Sequence, residues 1–367
     1  MKIILLANTS WALYQSRIPL AKKLRTDGHE VIMASPHDQY THYLTDAGFR
    51  WIGFSLSQRG YNILQEISTF LSVFQIYRQE KPDIVHHFTI KCVLYGSIAA
   101  RLLHVKRIIN SITGMGYVFS DSQPSKYVLR SIIRLLYRLS LHGTTLIFQN
   151  PEDRALFIEQ KWTDPQSSHL IRSSGVDLNY FIPSIKPEGT VNILLPARML
   201  KDKGIHVFVE AARLLKQNTV PCRMILAGDS DRQNPDTVST AQLAAWHQEG
   251  IVEWLGWLND MRDLYSRVHI VCLPTYYREG VPRSLIEGAA CGLPLIATDI
   301  PGCREVVKHQ QNGLLVPARD SYALYSALRE LIYHPEIRKS MGENSRKISE
   351  EFSIEHVASE TIRLYFQ

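Results

Sequence analysis

Apolar and polar positions alternate along this chain on two length scales. Short apolar runs such as "KIILLA", "EVIMAS", "PDIVHHF" and "RIINSIT" are separated by longer stretches with helical spacing, among them "RIPLAKKLRTDG" and "YGSIAARLLHV". Runs without alternation suit strands covered on both faces, and the amphipathic stretches suit the helices that cover them, so the pattern predicts βαβ units around a mostly parallel sheet. A second series starts at "VNILLPA" (191–197) and continues through "GIHVFVEAARLLKQ", "RMILAG", "VEWLGW", "MRDLYSRVHIVCLP", "SLIEGAACG" and "LPLIATD". Each half therefore predicts its own doubly wound α/β sheet. The polar, proline-bearing stretch "YFIPSIKPEGT" (180–190) breaks the periodicity where a linker would. The expected division is an N-terminal Rossmann-like domain over 1–183 and a C-terminal one over 184–350. Ligands of open α/β sheets sit beyond the carboxyl ends of the strands, so the cleft between the halves, lined by those loops, is the expected site.

Length and composition agree with two lobes, since 367 residues at 45% hydrophobic exceed one comfortable core. The five cysteines, at 92, 222, 272, 291 and 303, form no C-x-x-C pair and read as reduced buried residues rather than disulfides or zinc ligands. The opening "MKIILLANTSW" has no signal-peptide pattern, and no apolar stretch reaches the roughly 18 residues that would span a bilayer. A cytoplasmic protein, soluble or peripheral on a membrane, is the expectation. The net charge of +6 favours an anionic partner: nucleic acid, a phosphorylated small molecule or an anionic membrane.

Two loops carry the candidate chemistry. In "LPARMLKDKGIHVF", Arg198 and Lys203 fall between a predicted strand and a predicted helix, with Gly204 at the turn, where two cations can grip an anion beside the positive end of a helix. In "REGVPRSLIEG", Gly280 and Pro282 shape a tight turn after the strand "IVCLP", and a helix begins near Ser284, exposing backbone amides suited to phosphate oxygens. Glu279 precedes that turn, and Glu287 is expected in the first helical turn. Singly, each has a plain structural alternative: a solvated basic loop, a surface carboxylate, a charge that favours a helix start. Together they place an R-x4-K loop and an E-x7-E loop in one half-domain.

On these motifs, and on "GVDLNYF" (175–181), "RMILAGDS" and the terminal "FSIEHVASETIRLYFQ", the whole chain resembles the retaining glycosyltransferases of family 4. The resemblance implies a GT-B fold, two Rossmann-like domains facing a cleft, with a C-terminal helix (351–367) crossing back to the N-terminal domain. It implies that Arg198 and Lys203 bind the diphosphate of a sugar nucleotide, that Glu279 contacts the transferred sugar and that Glu287 contacts the ribose. The backbone around Gly280, Val281, Pro282, Arg283, Ser284 and Leu285 would cradle phosphate. No metal and no cofactor is implied, the nucleotide sugar being a co-substrate with UDP as the expected nucleotide.

Several stretches refine the picture. "DSD" (229–231) matches a D-x-D metal motif superficially but reads better as a turn, and "TGMG" (113–116) lacks the spacing of a dinucleotide fingerprint. "IINSITGMGYVFS" also lacks the histidine many family members carry there, and together with "NTSW" and "DIVHHFTIK" it resembles bacterial transferases that extend lipid-linked surface glycans. Thr113, Gly114, His86, His87 and Lys91 become acceptor-side candidates, the last three in a loop after "DIV"; Asn8, Ser10 and Arg17 could add hydrogen bonds. In "PSKYVLRSIIRLLYRLSLHG", Lys126, Arg130, Arg134 and Arg138 recur every four residues beside a wide apolar surface, which suits an anionic bilayer or, more plainly, a core-facing helix with a basic exposed side. Nucleic acid is disfavoured because no recognition module is present.

The expectation is a retaining hexosyltransferase. It would move a hexose or N-acetylhexosamine from a nucleotide sugar to a polyprenyl-diphosphate-linked glycan on the cytoplasmic face of the inner membrane. The alternatives are a transferase with a soluble acceptor, an epimerase on the same fold, and a non-catalytic sugar-nucleotide sensor.

Overall fold

The computed structural model describes residues 1–56, 63–114, 136–231, 234 and 236–367, which form two compact units, 1–175 with 354–367 and 176–353. In the first, the chain runs through β1 (Lys2–Leu6), α1 (Ser10–Thr26), β2 (Glu30–Ser35), α2 (Thr41–Asp46), β3 (Arg50–Gly53), α3 (Ile63–Glu80), β4 (Ile84–Phe88), α4 (Ile90–Leu102), β5 (Arg107–Ile112), β6 (Thr145–Phe148), α5 (Pro151–Glu159) and β7 (Ser168–Leu170). The strands make one parallel sheet in the order β3-β2-β1-β4-β5-β6-β7. Thr9 caps α1 by accepting the Ala12 N–H, and Asn150 caps α5 ahead of Pro151, satisfying amides that the helices cannot.

The second unit repeats the plan with β8 (Val191–Pro196), α6 (Ile205–Gln217), β9 (Cys222–Ala227), α7 (Thr240–Gln248), β10 (Glu253–Trp254), α8 (Arg262–Arg267), β11 (Ile270–Leu273), α9 (Arg283–Ala290), β12 (Leu295–Thr298), α10 (Pro301–Val306), β13 (Gly313–Val316), α11 (Ser321–Tyr333) and α12 (Pro335–Ser349). Its parallel sheet is ordered β10-β9-β8-β11-β12-β13. Every residue of β11 and β12 is buried, as the continuous apolar runs predict, because helices cover both faces. Each fully buried Leu or Ile there contributes about 1.5–3 kcal/mol of transfer free energy.

The chain then returns to the first unit as α13 (Ile354–Phe366), which packs on α1 with Val357, Leu364 and Tyr365 buried. All five cysteines are free thiols, four of them buried. Among the described residues, no helix is long and apolar enough to cross a membrane.

In each sheet the order reverses direction once, between β1 and β4 and between β8 and β11. At such a point the loops leaving adjacent strands diverge to opposite faces and open a crevice at the carboxyl edge. The loops after β8 and β11 are the R-x4-K and E-x7-E segments.

Candidate active site

Backbone contacts lock these two loops together. After β8 the chain makes a single 3-10 turn, Lys201–Lys203, and then enters α6 through Gly204 at φ 78°. A Cβ at Gly204 would overlap the Pro274 carbonyl, so glycine permits both the left-handed turn and the close approach of the loop after β11. The Asp202 carbonyl then accepts hydrogen bonds from the Tyr276 N–H (2.9 Å), the Tyr277 N–H (3.2 Å) and the Thr275 hydroxyl (3.0 Å).

The result is that the Lys203 ammonium meets the Glu279 carboxylate in a directly hydrogen-bonded ion pair, with side chains only 13% and 15% exposed. Thr275 donates a longer bond to the same Glu279 oxygen (3.4 Å), and Lys203 lies 5.3 Å from the centre of the Tyr277 ring. Burial first, and the Glu279 charge second, push the Tyr277 phenol up to about 12. Burial outweighs Lys203 at Asp202 and raises that carboxyl above its usual range, and its Oδ1 is buried without a hydrogen-bond partner among the described residues. Arg198 is exposed and forms no ion pair among the described residues.

Past Glu279, the turn from Gly280 to Pro282 leads into α9, whose first intrahelical bonds run from the Leu285 and Ile286 amides to the Pro282 carbonyl. Amides ahead of those have no place in the helix's own ladder. Gly302, at the start of α10, packs so closely that a Cβ would overlap the Gly280 carbonyl, which holds the turn from behind.

Glu287 corrects the sequence reading in one respect. It stands fifth in α9, beyond the first turn, and is 7% exposed. Its carboxylate accepts from the Arg283 Nε (2.6 Å) and from the Tyr265 hydroxyl (3.1 Å). Burial above all, with the Glu287 charge next, drives the Tyr265 phenol well above its ordinary range. Arg283, expected only through its backbone, thus orients Glu287 with its side chain.

The acceptor-side candidates fare unevenly. Thr113 and Gly114 sit half-buried at the carboxyl end of β5. His86 and His87 do not lie in a loop: they are inside β4 and fully buried. His86 bonds the Tyr365 hydroxyl (2.6 Å) and the Ser111 hydroxyl (2.7 Å), whereas His87 bonds the Tyr77 hydroxyl (2.9 Å) and the Asn110 side-chain oxygen (2.7 Å). Such satisfied core histidines hold elements together and have no free edge for a substrate. Lys91 belongs to α4 and pairs with Glu66 of α3. Ser10 is buried against the Ser35 and Thr41 hydroxyls, and the Arg17 guanidinium stacks 4.0 Å over Phe88, so both serve the fold. Of the basic stripe, Lys126, Arg130 and Arg134 lie outside the described residues, and Arg138 is exposed.

Sequence reasoning passed over Asp202, Thr275 and Tyr265. Asp202 is adjacent to Lys203 and was open to notice, but Tyr265 belongs to an ordinary amphipathic segment, and only the fold brings its hydroxyl to Glu287.

Residues 2–150 match the sequence family described as "Glycosyl transferase 4-like", and residues 179–348 match the one described as "Glycosyl transferases group 1". Two parallel-sheet units of this kind, with these matches, define a GT-B glycosyltransferase. The chain thus carries a glycosyl transferase 4-like segment followed by a glycosyl transferases group 1 segment. It is 27% identical to the N,N'-diacetylbacillosaminyl-diphospho-undecaprenol alpha-1,3-N-acetylgalactosaminyltransferase of Campylobacter jejuni, over all of this chain and 98% of that one. It is 26% identical to the UDP-Gal:alpha-D-GlcNAc-diphosphoundecaprenol alpha-1,3-galactosyltransferase of Escherichia coli, over 81% of this chain and 78% of the other. In fold it is similar to Anabaena HepE, solved with UDP-glucose, at a TM-score of 0.80 and 18% identity across 100% of this chain and 99% of that one. A Rickettsia africae glycosyltransferase gives 0.77 at 20% identity, across 99% and 97%.

Proposed function

We propose that the enzyme transfers a hexose or N-acetylhexosamine from a UDP-sugar, with retention at the anomeric carbon, to a glycan borne on a polyprenyl diphosphate. It would work peripherally on the cytoplasmic face of the inner membrane, in the assembly of a bacterial surface polysaccharide or glycoprotein glycan. One observation carries the reading: Lys203 is paired with Glu279 at the switch point of the second sheet, in a chain similar end to end to a transferase named for a diphospho-undecaprenol acceptor.

In this reading Arg198 and Lys203 hold the donor diphosphate, the amides from Gly280 to Leu285 take phosphate oxygens, and Glu279 accepts hydrogen bonds from sugar hydroxyls. Glu287, steadied by Arg283 and Tyr265, keeps lone pairs for the ribose hydroxyls. The bond from the anomeric carbon to the β-phosphate oxygen breaks, and the acceptor oxygen bonds that carbon on the same face. The acceptor proton passes to the departing phosphate. Negative charge grows on the leaving group, so fixed cations and amide dipoles lower the transition state more than the ground state. Thr113 and Gly114 are the remaining acceptor-side positions.

The test is transfer from a panel of nucleotide sugars to a short polyprenyl-diphosphate-linked saccharide in detergent and, in parallel, to the free saccharide. Turnover that requires the lipid-linked acceptor is expected. Equal turnover with the free saccharide would overturn the acceptor assignment, and failure with every donor would overturn the enzyme reading.

A further inference from the structure

The second unit contains a cavity of about 620 Å3 at the edge of the sheet opposite the candidate active site. His269 and Pro294, which line it, directly precede β11 and β12, so it opens at the amino ends of these strands. Five cations surround it, Lys186, Arg338, Lys339, Arg346 and Lys347, against one carboxylate, Glu343. Pro183, Leu293 and Pro294 give it an apolar wall.

The half-buried cations are held by neutral groups. Lys186 donates to the Tyr265 carbonyl (2.9 Å) and the Ser184 hydroxyl (3.1 Å). Arg338 reaches the Leu331 and Ile332 carbonyls (2.6 and 2.7 Å). Arg346 reaches the carbonyls of Phe181, Ala290 and Leu178 (2.9, 2.8 and 3.1 Å). Carbonyls orient these side chains without cancelling their charge, and burial pulls both Lys186 and Arg338 below their usual ranges. Lys339 and Lys347 stand exposed on α12 and form no ion pair among the described residues. Alone, the Lys339, Glu343, Lys347 series would be an ordinary solvated helix face. With three half-buried cations behind it, five positive charges face Glu343 in the lining and Glu336 beside Arg338, with no ion pair formed by any of the five among the described residues, so the pocket keeps an excess of positive charge that an anion would relieve.

We propose that this cavity is a second anion site, distinct from the donor site, for a phosphate ester that carries an apolar portion. The phosphate would meet Lys339, Lys347 and the cations behind them, and the apolar portion would lie on the proline-lined wall. Because Arg346 holds the carbonyl of Ala290, the last residue of α9, the occupant would touch the far end of the helix that begins at the donor loop.

The experiment is calorimetric titration of the full chain, saturated with UDP so that the donor site is filled. The probes are dihexanoylphosphatidylglycerol, glycerol 3-phosphate and, as a neutral comparison, dihexanoylphosphatidylcholine. Dihexanoylphosphatidylglycerol is expected to bind, and more tightly than glycerol 3-phosphate; binding of glycerol 3-phosphate alone, or of both equally, would overturn the part given to the apolar wall. The exposed pair Lys339→Glu with Lys347→Glu should weaken that binding by about tenfold or more. Lys22→Glu with Lys23→Glu on α1, the same change in net charge elsewhere, should leave it unchanged. No binding by either phosphate probe, equal binding of phosphatidylcholine, or equal loss in both double variants would overturn the proposal.

Discussion

At the scale of single residues, the candidate site turns on a partly buried ion pair whose partners come from loops 76 residues apart. Removing one partner leaves the other charge buried and unmatched, so the single variants should differ from the double. Lys203→Ala is expected to lower kcat by roughly 100-fold or more, and Glu279→Ala comparably, with the far-ultraviolet circular dichroism unchanged. The Lys203→Ala, Glu279→Ala double variant should lose much less than the product of the two, because both act on one bound donor. Near-normal turnover in either single variant would remove the pair from the mechanism. These two residues were legible in the sequence because each lies at a strand-to-helix junction, where local pattern is strong. The histidines were misplaced for the opposite reason. "DIVHHF" is one strand, and the partners that make His86 and His87 structural come from residues 10 to 279 positions away, beyond any local signal.

At the scale of elements, that histidine pair ties β4 to its neighbours: His86 to β5 and α13, His87 to α3 and β5. Gly96 of α4 leaves the room that the His87 ring fills. Burial holds both imidazoles neutral, lowering His87 to about 4 and His86 well below its ordinary value. The unfolded chain therefore takes up protons first as pH falls. The stability they contribute is whole above about pH 6.5 and is lost progressively toward pH 4. Urea midpoints measured from pH 7.5 to 4.5 should fall across that window, and His86→Gln with His87→Asn should flatten the decline. A slope identical to that of the parent chain would contradict this account. Gly204 makes the corresponding argument in the second unit. Gly204→Ala forces a side chain into a left-handed turn and against the Pro274 carbonyl, so a loss of roughly 1–3 kcal/mol is expected, with weaker UDP binding by calorimetry. Unchanged UDP affinity would mean the two loops need not be locked together. The alternation of apolar runs foretold the two parallel sheets, but it contained nothing of this loop-on-loop contact, which depends on the strand order.

At the scale of the whole molecule, the question is which charges the reaction draws on. The proposed donor contacts use the protein's own cations and helix amides, Arg198, Lys203 and the start of α9, which stand where the leaving diphosphate would gather charge. The one D-x-D segment is committed to a turn in its first half: the Ser230 N–H bonds Asp229 Oδ1 at 2.7 Å, and the Ser230 hydroxyl bonds the Val238 carbonyl at 2.7 Å. That hydroxyl ties the segment to the stretch before α7, and the loops after β8 and β11 keep their own contacts. In the proposed reading Lys203 and Arg198 supply the diphosphate with the positive charge that a divalent ion would otherwise bring. Transfer is therefore expected to proceed at an unchanged rate in excess chelator, and added magnesium or manganese should not rescue Lys203→Ala. Loss of activity in chelator, restored by either ion, would shift charge stabilisation from the lysine and arginine to a metal and reopen the part played by Asp229 and Asp231. Insensitivity to chelator together with a large defect in Lys203→Ala would leave the side chains and amides of the second unit as the source of that stabilisation.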